Sequence, residues 1–237
     1  MPETKRPSTS IKNRLLAALP KKEYQHLLPG LEKINLDYGE NIYAAGEQIS
    51  HVYFPESGIV SLLSIVDETM MLEVGIVGRE GMVGLPVFLD VKISINRAVV
   101  QGSGIAWKMK ATDLQKECQG DGQLPHLLKR YTYSLLTQTS HTAACNLYHR
   151  INSRLARWLL MSHDRMETDE FQLTQEFLSN MLGVRREAVN KAAASLQQQQ
   201  LISYSRGNIK ILDRTGLEAV SCECYAIISK EEQLFLQ

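Results

Sequence analysis

The 237-residue sequence holds only four cysteines, and none precedes Cys118. Four thiols at such irregular spacings (Cys118, Cys145, Cys222 and Cys224) do not make a disulfide framework, so a reducing, cytoplasmic setting is the expectation. No apolar run approaches the roughly 18 residues of a membrane helix, and no membrane partner is expected. The polar stretch Met1 to Lys12 lacks the apolar centre and cleavage site of a signal peptide, and none is expected. A Ser-His-Asp grouping, a P-loop and a metalloprotease motif are all missing, which argues against an enzyme. Net charge is missing as well, since 26 Lys and Arg balance 26 Asp and Glu. What is present is ordinary globular material, 44% hydrophobic and 22% charged, in a chain long enough for two modest domains.

The zero balance conceals a gradient. Residues 1–36 carry seven cations against three acids, residues 37–123 six against twelve, and residues 185–214 six against two. Positive charge thus gathers in one short window, the footprint of a localised nucleic-acid contact. Glycine is equally uneven: eleven of the fifteen lie between Gly39 and Gly122, and residues 124–182 contain none. The glycine-rich part carries short alternating runs at Ile34–Tyr38, Val52–Phe54, Ile59–Ile65, Leu72–Val77, Arg97–Gln101 and Ile105–Met109. Their spacing predicts a small antiparallel sandwich or barrel over roughly residues 34–110, with short helices at Ile11–Leu19 and Lys22–Leu28 in front of it.

Pro125 suits the first turn of a helix, and Leu124, Leu128, Tyr131, Leu135, Gln138, Thr142 and Cys145 then recur at alternating spacings of four and three. Periodicity alone suits a core helix of the same chain as well as a seam between two subunits. A second helix is expected over Ile151–Met166, followed by an acidic turn from Asp164 to Glu170.

The informative stretch is Leu173 to Leu212. Thr174 is placed to cap a short helix with Glu176 in its first turn, Phe177, Leu178 and Met181 on its apolar face, and Gly183 at its end. A second helix from Arg186 to Gln199 buries Val189, Ala192, Ala193 and Leu196, completing a helix-turn-helix. Such a motif presents the start of its second helix to the DNA major groove. There Arg185 and Arg186 suit guanine, Glu187 cytosine, Asn190 adenine, and Lys191 guanine or phosphate. A hairpin of Leu201–Ser205 and Ile209–Leu212 follows, turning at Arg206-Gly207-Asn208, and as a wing it would set Arg206 and Lys210 beside the phosphate backbone.

With these residues in view the sequence resembles the Crp–Fnr family of bacterial transcription regulators over nearly its whole length. The stretch Leu173-Thr174-Gln175-Glu176 through Leu182-Gly183-Val184-Arg185-Arg186-Glu187-Ala188-Val189 resembles that family's winged helix-turn-helix, and Arg186, Glu187 and Lys191 fall where it places base-reading residues. Arg185 departs from the pattern, which often has a capping Ser or Thr there. Ile42-Tyr43-Ala44-Ala45-Gly46-Glu47 and Val52-Tyr53-Phe54 with Gly58 resemble its cyclic-nucleotide-binding β-roll. The fold this implies is α+β: a jelly-roll-like sensor in residues 1–122, a dimerisation helix in 123–149 and the winged domain in 150–237. Leu124, Leu128, Tyr131, Leu135, Gln138 and Thr142 are then the expected dimer interface. The partners implied are double-stranded DNA on a near-palindromic site, a second copy of the chain, RNA polymerase and an unidentified small effector.

The phosphate cassette is where the resemblance weakens. The candidate effector pocket comprises Glu80, Gly81, Met82, Val83, Gly84, Asn96 and Arg97. No acid follows Gly81, Glu80 precedes it, and Arg97 is shifted by one residue, which in a strand turns a side chain to the other face. Cyclic AMP is therefore expected to bind weakly or not at all. The alternative is a cyclic-nucleotide-dependent regulator. A reading of another class takes His141, Cys145 and His149, at i, i+4 and i+8, as holding a metal or haem, although no fourth ligand is visible. Cys222 and Cys224 are expected to be free thiols. With no cysteine before Cys118, no iron–sulfur cluster is expected, and no cofactor is assigned.

Overall fold

In the computed structural model, which describes residues 11–67, 70–166 and 168–236, each alternating run becomes a strand. With the short strand β2 (Asn41–Tyr43) in addition, these are β1 (Glu32–Leu36), β3 (His51–Pro55), β4 (Ile59–Ile65), β5 (Met71–Val77), β6 (Asn96–Gly102) and β7 (Gly104–Lys110). They form two antiparallel sheets, ordered β1-β7-β3 and β2-β6-β4-β5. Val52 and Phe54 of one sheet and Val60, Val77, Ala98 and Val100 of the other share one buried core, as period-two alternation requires. In front stand α1 (Arg14–Ala17) and α2 (Lys21–Leu27). Asn13 fastens the first of these: its Oδ1 accepts from Leu16 N at 3.1 Å, and its Nδ2 donates to Pro55 O and Gly81 O at 2.9 Å each. The polar stretch expected from Met1 lies, as far as residue 10, outside the described residues, as does Glu167 of the acidic turn.

After a short helix that carried no expectation, α3 (Ala111–Glu117), comes the long helix α4 (Gln123–Tyr148), with Pro125 in its first turn as predicted. The helix lies along the roll and closes its core with Leu124, Leu127, Leu128 and Tyr131. A backbone break at His149 separates it from α5 (Ile151–Met166). Then follow β8 (Glu170–Gln172), α6 (Gln175–Leu182), α7 (Arg186–Gln198), β9 (Ile202–Ser205), β10 (Asn208–Ile211), α8 (Arg214–Val220) and α9 (Cys224–Leu234). A second core unites Leu155, Trp158 and Leu159 of α5 with Leu178, Val189, Ala193, Leu196 and Ile209. Helix α9 returns along α4, where Arg130 Nη2 donates to Leu234 O at 2.6 Å and Phe235 stacks near Tyr131 at 5.6 Å. Among the described residues no helix is long and apolar enough to cross a membrane.

Candidate nucleic-acid interface

The Thr174 hydroxyl caps α6, accepting from Phe177 N at 3.1 Å, so one of the orphan amides of the first turn is satisfied. At the other end Gly183 takes φ 60°, a left-handed value that a side chain resists. Its N–H reaches Asn180 O, and Val184 N reaches Ser179 O, closing a Schellman turn that aims the chain into α7. Val189, Ala192, Ala193 and Leu196 are buried against α5 and α6, which turns Arg185, Arg186, Glu187, Asn190 and Lys191 outward, all exposed. Arg185 is the N-cap residue and makes no side-chain cap, as its type foretold.

The wing has three strands rather than the two expected, in the order β8-β10-β9. Its tip is a two-residue turn with positive φ at Arg206 (49°) and Gly207 (82°), the type I′ geometry that matches strand twist. Alternation along β10 buries Ile209 and Ile211 and exposes Lys210. An open cleft of about 410 Å³ runs between the start of α6, Arg186 and the wing tip, lined by Thr174, Gln175, Glu176, Tyr204, Arg206 and Gly207. Arg186 in this cleft and Lys210 of β10 are each held by a surface acid: Arg186 Nη2 lies 2.7 Å from Glu176 Oε1, and Lys210 Nζ 2.9 Å from Glu170 Oε1. Exposed pairs of this kind contribute about 0–1 kcal/mol, so a phosphate or base edge can displace the acid.

The sequence model of the Crp-like helix-turn-helix domain matches residues 153–220. The C-terminal part of this chain is a Crp-like helix-turn-helix domain. Solved structures extend the likeness of fold to the roll. FixK2 from Bradyrhizobium japonicum superposes with a TM-score of 0.68 at 18% identity, covering 81% of this chain and 98% of its own. A putative transcriptional regulator of the Crp/Fnr family from Eubacterium rectale gives 0.68 at 18% identity, over 87% of this chain and 96% of its own. CLP, the c-di-GMP responsive global regulator of Xanthomonas campestris, gives 0.62 at 16% identity, over 81% and 99%. No curated protein sequence matches the chain.

The roll that accompanies the Crp-like domain does not present the expected effector residues to one pocket. Glu80 is buried in an ion pair with Arg165 of α5, 2.8 Å from its Nε, and accepts from Gly78 N at 3.0 Å, so it is spent on joining roll to α5. Arg165 also pairs with Glu232 of α9. Gly81 is pressed against the Tyr131 ring: a Cβ there would come within 2.4 Å of ring carbon, and the Tyr131 hydroxyl donates to Met82 O at 3.2 Å. Met82 and Val83 are core residues, Val83 bridging to Tyr53, and Gly84 turns with φ 95°. Ala98 points into the roll, whereas Arg97 lies on the opposite face and donates from Nε to Asn41 Oδ1 at 2.6 Å. Only Met82, Gly84 and Asn96 of the expected set reach a cavity of about 120 Å³ under α4, which Tyr43, Leu62, Leu85, Pro86 and Leu135 complete. That volume falls below the roughly 300–1,000 Å³ of ordinary ligand sites, and no charged side chain lines it.

Most of the expected dimer row is enclosed by its own chain. Leu124, Leu128 and Tyr131 are buried in the roll core of their own chain, and Leu135 packs on it. Gln138 is also buried, accepting from Ile76 N at 2.6 Å and donating to Ile76 O at 3.2 Å, and Thr142 is buried beside Arg157. A seam facing another subunit cannot use side chains already enclosed by the sheet. The free face of α4 is the opposite one, with Tyr133 61% and Leu136 59% exposed, then Ser140, Ala143 and Leu147. These too alternate by three and four.

Sequence reasoning missed the buried polar link between roll and Crp-like domain. Glu73 of β5 accepts from Trp158 Nε1 at 2.7 Å and contacts the Ser61 hydroxyl at 2.7 Å. Burial pushes its carboxyl up to about 7, despite the opposing effect of these bonds and of Arg157 and Arg165. A lone Glu in a strand carries no signal of this, because its partners come from β4 and α5. The expected row of His141, Cys145 and His149 is also rearranged. Cys145 and His149 meet Cys222 and Cys224, and His141 is left out of that group.

Proposed function

We propose that the chain is a DNA-binding transcriptional regulator that grips a near-palindromic operator as a homodimer, and that its roll works without a cyclic nucleotide. The observation that carries the reading is the exposed group Arg186, Glu187, Asn190 and Lys191 at the start of α7, with Arg186 lining one cleft together with Arg206 of the wing tip. Arg186, Glu187, Asn190 and Lys191 read base edges, Arg185 and Arg206 flank them, and Lys210 fixes register on phosphate. The dimer forms along Tyr133, Leu136, Ser140, Ala143 and Leu147, where small residues let two helices approach. RNA polymerase is the partner such a regulator acts through.

Operator titrations test the roles. Arg186→Ala should cost about 1–3 kcal/mol on the preferred site and relax base preference at one position per half-site. Lys210→Ala should weaken all sequences alike and reduce the salt slope by about 1. Equal losses on every sequence from both variants would remove Arg186 from base reading.

Calorimetry with cyclic AMP should show weak binding or none, and operator affinity should be the same with and without it. A phosphate buried in the small cavity under α4 would find no cation among the described residues that line it, and an unpaired buried charge is expensive. Micromolar binding that also raises operator affinity tenfold, a coupling of about 1.4 kcal/mol, would restore the nucleotide-dependent reading.

A further inference from the structure

Three thiols and an imidazole from distant parts of the chain converge where α4 ends. Cys145 occupies the last turn of α4 and His149 its C-cap, four residues on, with His149 N bonded to Cys145 O at 3.1 Å. Cys222 and Cys224 lie at the junction of α8 and α9, where Glu223 takes helical angles and the chain turns sharply enough for both sulfurs to face one centre. The donor atoms of all four lie within 4.8 Å of one another. Cys145 Sγ and Cys222 Sγ are 3.4 Å apart, and Cys224 Sγ and His149 Nδ1 3.7 Å. A tetrahedral zinc with Zn–S of about 2.3 Å and Zn–N of about 2.0–2.1 Å requires edges of about 3.8 Å between sulfurs and about 3.6 Å between sulfur and nitrogen. The set is therefore already close to the shape of a single ion's shell, and too tight to enclose a cluster of several irons.

Charge supplies an independent observation. Arg157 is only 4% exposed, and among the described residues no carboxylate lies within ion-pair distance of it. Its Nε has no hydrogen-bond partner, and its Nη1 lies 3.4 Å from Thr142 Oγ1 and 3.3 Å from Met161 Sδ. Arg154, 6% exposed, likewise has an unpartnered Nε, and both guanidinium groups interact with the Cys145 sulfur. Buried cations without anions are costly. A divalent ion bound by three thiolates and a neutral imidazole carries a formal charge of −1, which these arginines would face.

We propose that Cys145, His149, Cys222 and Cys224 form a structural zinc site that staples the end of the long helix to the α8–α9 junction, with Arg157 as its charge partner. Zinc takes the place of three thiol protons, which pass to solvent, and no oxidation or reduction occurs. The ion would tie residues 77 apart in sequence across the break at His149, and so set the angle between long helix and Crp-like domain.

Elemental analysis of the full chain purified without chelator should find one zinc per chain, and Cys222→Ser with Cys224→Ser together should abolish it. Cys118→Ser and His141→Ala should leave it unchanged. Arg157→Gln should weaken zinc about 10–100-fold in competition with a chromophoric chelator, as loss of an outer partner does. Because the cysteine variants risk misfolding, wild type stripped with a chelator is titrated with Co²⁺ alone, and thiolate-to-cobalt absorption should saturate at one ion. Stripped, reduced and folded protein that takes up neither Co²⁺ nor Zn²⁺ would overturn the proposal. So would zinc retained by the double cysteine variant, or a Cys145–Cys222 disulfide in freshly isolated metal-free protein.

Discussion

Tyr133→Glu with Leu136→Glu should turn the proposed dimer into folded monomers, whereas Leu128→Glu should damage the fold of each chain. The pair and the single position all sit on α4, but on opposite faces. Tyr133 and Leu136 are exposed, so in a lone chain the new carboxylates meet water, and in a dimer they meet each other across the seam. Leu128 is fully buried in the apolar core shared by α4 and the roll, so a carboxylate there is cut off from water. An uncompensated buried charge costs about 3–5 kcal/mol, roughly 10 °C in Tm for a chain of this size. Light scattering with thermal melting separates the two outcomes. The double variant should halve in mass at nearly unchanged Tm and lose most operator affinity, because a monomer engages one half-site at a time. A folded, monomeric Leu128→Glu protein with wild-type Tm would return the seam to the buried face.

Glu73→Gln should remove a substantial part of the chain's stability loss between pH 4.5 and pH 7. The Glu73 carboxyl rises from an ordinary 4.5 to about 7 through burial. Its neutral form also suits the bonds around it. Ser61 has one hydroxyl proton and contacts both Glu73 Oε2 and Gln101 Oε1, so a protonated Glu73 donating to Ser61 lets Ser61 donate to Gln101. A glutamine keeps that donor and keeps an acceptor for Trp158. Below the unfolded value both states hold the proton and the contribution is complete. Between the two values only the folded state holds it, and the advantage disappears as pH rises through about 7. A rise from 4.5 to about 7 corresponds to about 3 kcal/mol. Glu232, also pushed up to about 7 by burial, contributes with the same sign, so the quantity to measure is the difference between wild type and variant in denaturant titrations. Parallel pH curves for the two proteins would show that Glu73 ionises normally.

The winged domain was legible almost residue by residue. Thr174, Gly183, the buried row Val189, Ala192, Ala193 and Leu196, and the Arg206-Gly207 turn all sit where local rules put them. Caps, left-handed turns and short-period apolar rows depend on neighbours a few residues away. The shift of Arg97 to the outer face of β6 was legible for the same reason, since strand alternation is local. The third wing strand, β8, was missed because a three-residue strand has too few residues to show a period.

Long-range pairing is what the chain concealed. A row at spacings of three and four marks one face of α4, but it does not say whether a sheet, a helix or a second subunit covers that face. The roll decided it, taking Leu124, Leu128 and Tyr131 into its core and satisfying Gln138 at the Ile76 backbone. The same holds for Cys145 and His149, whose neighbours Cys222 and Cys224 arrive only because α9 folds back along α4. Local periodicity, capping and turn chemistry, all read from the sequence alone, determined most of the elements and which residues face outward on α7. The tertiary structure alone decided what each buried face meets, because the contacts that settle it join residues far apart in the chain and leave no periodic mark on either partner.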